Sequence, residues 1–156
     1  MLAKALFSSG TTWAGVMLAD DSRALDYLCS RADVDASRVG VCGLSGGGLR
    51  TTLLAGMDQR VAAAVDVGFM TTWRDLALQQ SVNHTWFTFV PGLPQLLDFP
   101  ELLALRAPAP TLVCDLTCPP VSGSLVVGRV FLEMPMALTT PPHAAVAPCV
   151  SWQCRC

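Results

Sequence analysis

The fold is set by residues 43–47, which read Gly-Leu-Ser-Gly-Gly, together with the segments on either side of them. Residues 38–42 are apolar and short, as in a buried strand, and residues 48–57 carry apolar side chains at helical spacing. A strand, a sharp turn with a serine and a helix form the context in which the G-x-S-x-G pattern has chemical meaning. The sequence therefore predicts a serine nucleophile, Ser45, on a strained turn with its hydroxyl exposed above a sheet.

The glycines of this turn have separate expected roles. We expect Gly43 and Gly47 to be glycines because a side chain at either position would crowd a tight turn. Gly46 opens the predicted helix, so its backbone amide points to the place where a developing oxyanion would lie, and the helix dipole would assist it.

Composition limits the class of protein. The chain has 156 residues, of which 52% are hydrophobic and 14% charged, which is enough for one packed core. A net charge of −2 gives no indication of a nucleic-acid partner or of an anionic membrane surface. No apolar run reaches the ~18 residues that span a bilayer, so we expect a soluble, cytoplasmic protein.

Periodicity along the chain predicts alternating helices and strands. A helix is expected over residues 17–30, strands over residues 61–67 and 108–114, and a short helix over residues 75–80. Residues 81–105 lack a clean period and would form a loop-and-helix excursion over a pocket. Continuous apolar strands separated by helices predict an α/β fold with a parallel sheet and flanking helices. Four apolar residues of the serine helix should share its buried face: Leu49, Leu53, Leu54 and Met57.

Aromatic residues concentrate in and before the excursion, where core or cap packing is a more economical explanation than a dedicated acyl pocket. These residues are Phe69, Trp73, Trp86, Phe87 and Phe89.

The last forty residues differ in kind from the rest. They hold four of the seven cysteines and pairs of prolines, which prevent long helices and central strands. We therefore divide the chain into an α/β core that contains the serine turn, residues 1–116, and an anomalous, poorly ordered tail, residues 117–156, which resembles a different sequence joined to the core. The odd number and scattered spacing of the cysteines argue against a disulfide framework, and Cys154 and Cys156 are too close together for a zinc knuckle.

Four stretches resemble the α/β-hydrolase superfamily: residues 21–28, 34–40, 43–48 and 110–113. The likeness is to the esterase branch that includes acetyl xylan esterases and dienelactone-hydrolase-like proteins, and it covers about ninety residues. It implies a partial α/β-hydrolase fold, truncated because the strands that normally precede this region are absent from the sequence.

The resemblance also implies a reaction and the residues for it. Such enzymes use a serine, an acid and a histidine, in that order, to hydrolyse carboxylic esters through an acyl-enzyme. Ser45 matches the nucleophile, Asp115 is the candidate acid after the third strand, and His143 is the candidate base. The substrate implied is a small-molecule acetyl or short acyl ester, and no cofactor is implied. Asp66, at the end of the second strand, and His84, in the excursion, are further candidates from their positions alone.

Two other interpretations stay open. If the missing strands and catalytic partners are not supplied, the chain is a catalytically incomplete hydrolase fragment that would self-associate through exposed sheet edges. Alternatively, Gly40, Gly43 and Gly46, with Asp66 twenty residues further on, imitate a nucleotide-binding αβ module. The glycine spacing is G-x-x-G-x-x-G, however, rather than G-x-G-x-x-G.

Overall fold

A computed structural model describes residues 2–80, 86–115 and 126–128; for residues 115 and 126–128 it describes the backbone alone. The described chain forms one four-stranded sheet with helices packed on it, so the predicted α/β class is confirmed. The helices are α1 (Leu2–Ser8), α2 (Trp13–Ser30), α3 (Gly46–Met57), α4 (Trp73–Asp75) and α5 (Phe99–Ala104). The strands are β1 (Gly40–Leu44), β2 (Ala63–Val67), β3 (Thr111–Asp115) and β4 (Val126–Gly128).

The strand order is β1-β2-β3-β4, and the first three strands are parallel. Gly40 pairs with Ala63 and Ala64 pairs with Thr111, so the carboxyl ends of the three parallel strands lie at the same edge of the sheet. In open α/β sheets, ligands bind at this edge. Ser45, directly after β1, lies there.

Helix α3 covers one face of the sheet across β1 and β2. Its middle is buried from Thr51 to Ala55, and Leu49, Leu53 and Leu54 enter the core as predicted. Met57 does not, because it is 60% exposed at the end of the helix. Neighbouring helix α2 begins four residues before the predicted start, where the Thr12 side chain accepts a hydrogen bond from the Gly15 amide.

An aromatic cluster fills the space beyond the first turns of α3. Trp73 and Phe99 are buried with ring centroids 4.2 Å apart, and Phe69 meets Phe99 edge to face at 5.1 Å. Phe87 and Phe89 pack against this core half-buried, whereas Trp86 is 39% exposed. The expectation of core packing therefore holds for four of the five residues, Phe69, Trp73, Phe87 and Phe89, while Trp86 lies at the surface beside Trp13.

Residues 73–80 are helical, and the predicted loop-and-helix excursion contains the short helix α5. Helix α4 continues into a π-helical turn, Leu76–Gln80, so the short helix predicted over residues 75–80 is present, with a start two residues earlier and π-helical geometry from Leu76. Asp98 and Glu101 stabilise the start of α5 in a reciprocal capping box. Its bounds could not be predicted, because six residues form fewer than two turns and give too few positions for a period to be visible.

Most of the predicted tail lies outside the described residues, and the domain division stays a prediction. Val126–Gly128 are described, and they pair antiparallel with β3 as β4. Within the described parts of the chain, no helix is long and apolar enough to cross a membrane. The cytoplasmic location stays a prediction.

Candidate active site

Ser45 occupies the turn between β1 and α3 in a strained conformation. Its φ of 54° and ψ of −114° lie in a region that residues other than glycine rarely adopt, and it is the one described non-glycine residue with positive φ. Such strain costs on the order of 1–3 kcal/mol and persists only where the surroundings enforce it. Here the Ser45 amide donates to the Val67 carbonyl at 2.7 Å, and the Ser45 carbonyl accepts from the Leu49 amide at 3.1 Å.

The Ser45 side chain remains available for chemistry. Serine at a helix N-cap ordinarily accepts a hydrogen bond from a first-turn amide, but Ser45 makes no such capping bond. The residue is exposed. The strained backbone thus presents a hydroxyl that is not used to stabilise the helix, which confirms the predicted strand-turn-helix geometry around Ser45.

The structure requires glycine at positions 43 and 48, for different reasons. A Cβ at Gly43 would come under 3.0 Å from three backbone atoms of Gly47. A Cβ at Gly48 would meet the Asp66 carboxylate and would lie 2.6 Å from Cβ of Phe69. At Gly47, by contrast, a Cβ would have open space, so the predicted crowding at this position is wrong. The turn is tight because the backbone of Gly47 occupies the space that a side chain at residue 43 would need.

Gly46 is the first residue of α3, as expected for an oxyanion donor. The first amides of a helix have no carbonyl partner within it, and the positive end of the helix dipole lies there. Phe87 borders this position, since a Cβ at residue 46 would lie 3.5 Å from the end of its ring. Gly46 is therefore bordered by the Phe87 ring and follows Ser45 directly in the chain.

Asp66 is placed differently from the sequence-based expectation. It was expected to approach the site from the sheet edge, but it is 0% exposed and faces α3. Its Oδ2 accepts a hydrogen bond from Thr52 Oγ1 at 2.7 Å. A carboxylate enclosed in this way is inaccessible to a nucleotide ribose, which counts against the nucleotide-binding interpretation.

The two partners proposed for Ser45 are only partly described. Asp115 is the last residue of β3, at the same sheet edge as Ser45, and its side chain is outside the description. His143 and His84 both lie outside the described residues. Their catalytic roles stay predictions.

Cys114 lies near this edge of the sheet, in β3, and the pKa of its thiol is shifted. Burial raises the pKa of its thiol above the ordinary value, and the neighbouring Cys42 and Asp66 add to the effect. A thiol held neutral in this way is a poor nucleophile. Among the described residues, no group of three or more His, Cys, Asp or Glu side chains could hold a metal ion.

Comparison with known proteins places this geometry in a family. Residues 8–97, more than half of the chain, match the prolyl oligopeptidase family. The chain belongs to the prolyl oligopeptidase family. The match spans the strand, turn and helix around Ser45, and it confirms the predicted α/β-hydrolase resemblance.

Individual relatives are longer proteins. The Bacillus subtilis (strain 168) protein named "Putative hydrolase YtaP" is 34% identical over 110 residues, which are 70% of this chain and 37% of the relative. Among solved structures, the chain is similar to a glucuronoyl esterase from Solibacter usitatus, with 26% identity and a TM-score of 0.45. The chain is also similar to a CE15 glucuronoyl esterase from Teredinibacter turnerae T7901, with 28% identity and a TM-score of 0.47. Each likeness covers 62% of this chain, and 28% and 27% of the two esterases.

Sequence reasoning did not find the roles that Gly48 and Thr52 have at the site. A threonine in the middle of a helix has low helix propensity and a hydroxyl that needs a partner when buried, but adjacent Thr51 gives the same signal, so the sequence alone could not select Thr52. Phe87 was expected only in core or cap packing, because its approach to Gly46 depends on a contact between residues far apart in the chain.

Proposed function

We propose that the chain is a serine hydrolase of small carboxylic esters that acts through an acyl-enzyme on Ser45. The observation that carries the proposal is the positive φ of Ser45, at the carboxyl end of a parallel strand, with a hydroxyl that does not cap α3. A strained turn of this kind has no folding advantage, and strain that the structure enforces is typical of a reacting position.

The proposed reaction has two steps. Ser45 Oγ attacks the ester carbonyl while a histidine, His143 in the proposal, accepts its proton. The Gly46 amide donates to the oxyanion of the tetrahedral intermediate, which then collapses and expels the alcohol with the proton from the histidine. Water, deprotonated by the same histidine, attacks the acyl-enzyme and releases the carboxylic acid. Asp115 is the proposed acid that orients the histidine.

A short acyl group is the proposed substrate because of Phe87. Its ring borders Gly46, where the carbonyl oxygen of the substrate would lie, and it is held half-buried against the aromatic core. A bulky acyl chain would have to displace a packed side chain. Acetyl and other short acyl groups are small enough to fit without displacing Phe87.

The family name suggests peptide bonds as the other class of substrate. An amide requires protonation of its leaving nitrogen, which a p-nitrophenolate leaving group does not, so the two classes make different demands on the histidine. Comparing p-nitrophenyl acetate with an N-acetyl-prolyl p-nitroanilide distinguishes them. Turnover of the ester alone supports the esterase proposal.

The primary test is saturable hydrolysis of p-nitrophenyl acetate by the full chain and by Ser45→Ala. Ser37→Ala is the matched control, because Ser37 is an exposed serine at the opposite end of β1 and is bonded to Asp35. Turnover should be lost in Ser45→Ala and kept in Ser37→Ala. Equal background rates in all three proteins would mean that the chain is a catalytically incomplete fragment.

We also propose that copies of the chain associate through β1. This strand ends the order of the described sheet, carries no charged residue, and leaves Cys42 and Leu44 exposed. Unprotected edges of this kind pair with further strands. Sedimentation should show dimers or larger species that Cys42→Lys converts to monomers; a monomeric parent chain would contradict this proposal.

A further inference from the structure

The carboxylate of Asp66 lies beneath the first two turns of α3, where no solvent reaches it. It is 0% exposed on the fourth residue of β2, and it faces α3 rather than the edge of the sheet. Burying a carboxyl group costs free energy unless hydrogen bonds compensate. Its position therefore needs an explanation beyond hydrophobic packing.

Each oxygen of the carboxylate lies against α3. Thr52 Oγ1 donates to Oδ2 at 2.7 Å from the second turn. Oδ1 lies so close to Gly48, in the first turn, that a Cβ there would come under 3.0 Å from it. The start of the helix can therefore lie this close to β2 because residue 48 has no side chain, and the Thr52 bond holds it there.

The next residue of β2 holds the nucleophile itself. The Val67 carbonyl accepts a hydrogen bond from the Ser45 amide at 2.7 Å. Since Asp66 and Val67 are consecutive, one short piece of β2 binds the backbone of Ser45 and the helix that follows it. Displacement of α3 relative to β2 would therefore change the φ and ψ of Ser45.

We propose that Asp66 and Thr52 are positioning residues that hold the first turn of α3 on β2 and so keep Ser45 in its strained conformation. The proposal rests on the proposed function, because it assigns these residues a purpose in that same site. Neither residue contacts substrate, since both are buried. The pair acts through the helix. A carboxylate beneath the N-terminal turn also interacts favourably with the positive end of the helix dipole.

The alternative is that the pair only stabilises the core. The chain offers a matched control for this distinction. Thr51 is 1% exposed and Thr52 is 0% exposed in the same helix, but Thr51 Oγ1 makes no hydrogen bond among the described residues. Thr51→Val and Thr52→Val remove the same atoms from adjacent buried positions. Only Thr52→Val removes the bond to Asp66.

The kinetic test uses p-nitrophenyl acetate and the full chain. Thr52→Val should lower kcat by about ten-fold or more while KM stays within about two-fold, because the nucleophile is misplaced and substrate binding is not. Thr52→Ser keeps the hydroxyl and should restore kcat, and Thr51→Val should match the parent. Loss of kcat in both valine variants, or in neither, would overturn the proposal.

A second measurement does not depend on turnover. Hydrogen exchange of the Ser45 amide, bonded to Val67, and of the Leu49 amide, bonded to Ser45, reports the geometry of the turn directly. In Thr52→Val both amides should exchange faster, while the Asp58 amide at the other end of α3 stays unchanged. A parent chain without Ser45-dependent turnover would reject the proposed function alone. Unchanged exchange at Ser45 and Leu49 in Thr52→Val would reject the positioning role.

Discussion

The two ends of α3 are built in opposite ways. At its start, Ser45 is strained, Gly48 is pressed against Asp66, and the serine hydroxyl gives the helix no cap. At its end, Met57 is exposed and Asp58 forms an ion pair with Arg60 at 2.6 Å on the surface. The start gives up local stability to hold one hydroxyl in place, and the end uses ordinary surface interactions. Substitutions should therefore have large effects at the start and small effects at the end.

The largest effect is expected for Gly43→Ala. The new Cβ would come under 3.0 Å from the carbonyl oxygen, carbonyl carbon and Cα of Gly47, and backbone atoms cannot move aside. We expect a loss of stability above about 4 kcal/mol or failure to fold. Gly47→Ala is the control, because its Cβ has open space in a helix, and it should be neutral or stabilising by up to about 1 kcal/mol. Urea unfolding measures both; equal destabilisation would contradict the described turn.

An intermediate effect is expected for Thr52→Val on global stability. The variant leaves the buried Asp66 carboxylate without the 2.7 Å bond, and removing one partner of a buried polar pair costs about 1–3 kcal/mol. Thr51→Val removes a hydroxyl that has no partner among the described residues, so it should be neutral or slightly stabilising. Thermal melting of the two variants side by side gives the difference. Equal melting temperatures would show that the Thr52–Asp66 bond has no net value.

A smaller effect should appear as a loss of stability at alkaline pH. Burial raises the pKa of Cys114 in the folded chain, so folding favours the protonated thiol. This contribution is fully present below the thiol pKa of the unfolded chain and is lost as pH rises through the raised folded value. Cys114→Ala should flatten that alkaline decline, while Cys42→Ala should reduce it by a smaller amount, because burial raises the Cys114 pKa more than the neighbouring Cys42 does. Chemical unfolding between neutral and alkaline pH is the measurement; identical slopes in all three proteins would exclude Cys114 as the cause.

The smallest effect belongs to the far end of α3. Asp58→Asn removes the carboxylate that pairs with the exposed Arg60, and an ion pair with one partner in solvent should shift Tm by only about 1 °C. Arg60 lowers the pKa of Asp58, so the contribution is present above the ordinary aspartate pKa and fades as pH falls through the lowered value. Added salt should weaken it further. A shift as large as that of Thr52→Val would remove the contrast between the two ends.

The sequence was sufficient for the parts of the fold that depend on local pattern. β1, α3, β2 and β3 each overlap a predicted apolar segment, because strand and helix periods are visible within ten residues. Ser45 is singled out for the same reason, since its glycines and flanking segments are adjacent in the chain. The bounds of α5, inside the predicted loop-and-helix excursion, could not be predicted because six residues give no period to detect.

Site details that depend on contacts between distant residues could not be predicted in this way. Asp66 was placed at the sheet edge, whereas its pairing opposite Gly43 and the packing of α3 bury it completely. The role expected of Gly47 was wrong because the direction of a side chain at a helix start depends on the turn geometry, and Gly48 takes the crowded position beside Asp66. Strand register and helix packing decide both cases.

The central claim is that the start of α3 presents a reactive Ser45 hydroxyl, and covalent labelling tests it most directly. Treat the full chain with a fluorophosphonate probe, digest with trypsin and identify the modified peptide by mass spectrometry. Cleavage after Arg38 and Arg50 releases residues 39–50, in which Ser45 is the one serine. We expect a single phosphonylated serine in this peptide, and about ten-fold less labelling in Thr52→Val treated for the same short time. An unmodified 39–50 peptide, or modification spread over exposed serines such as Ser37, would contradict the claim.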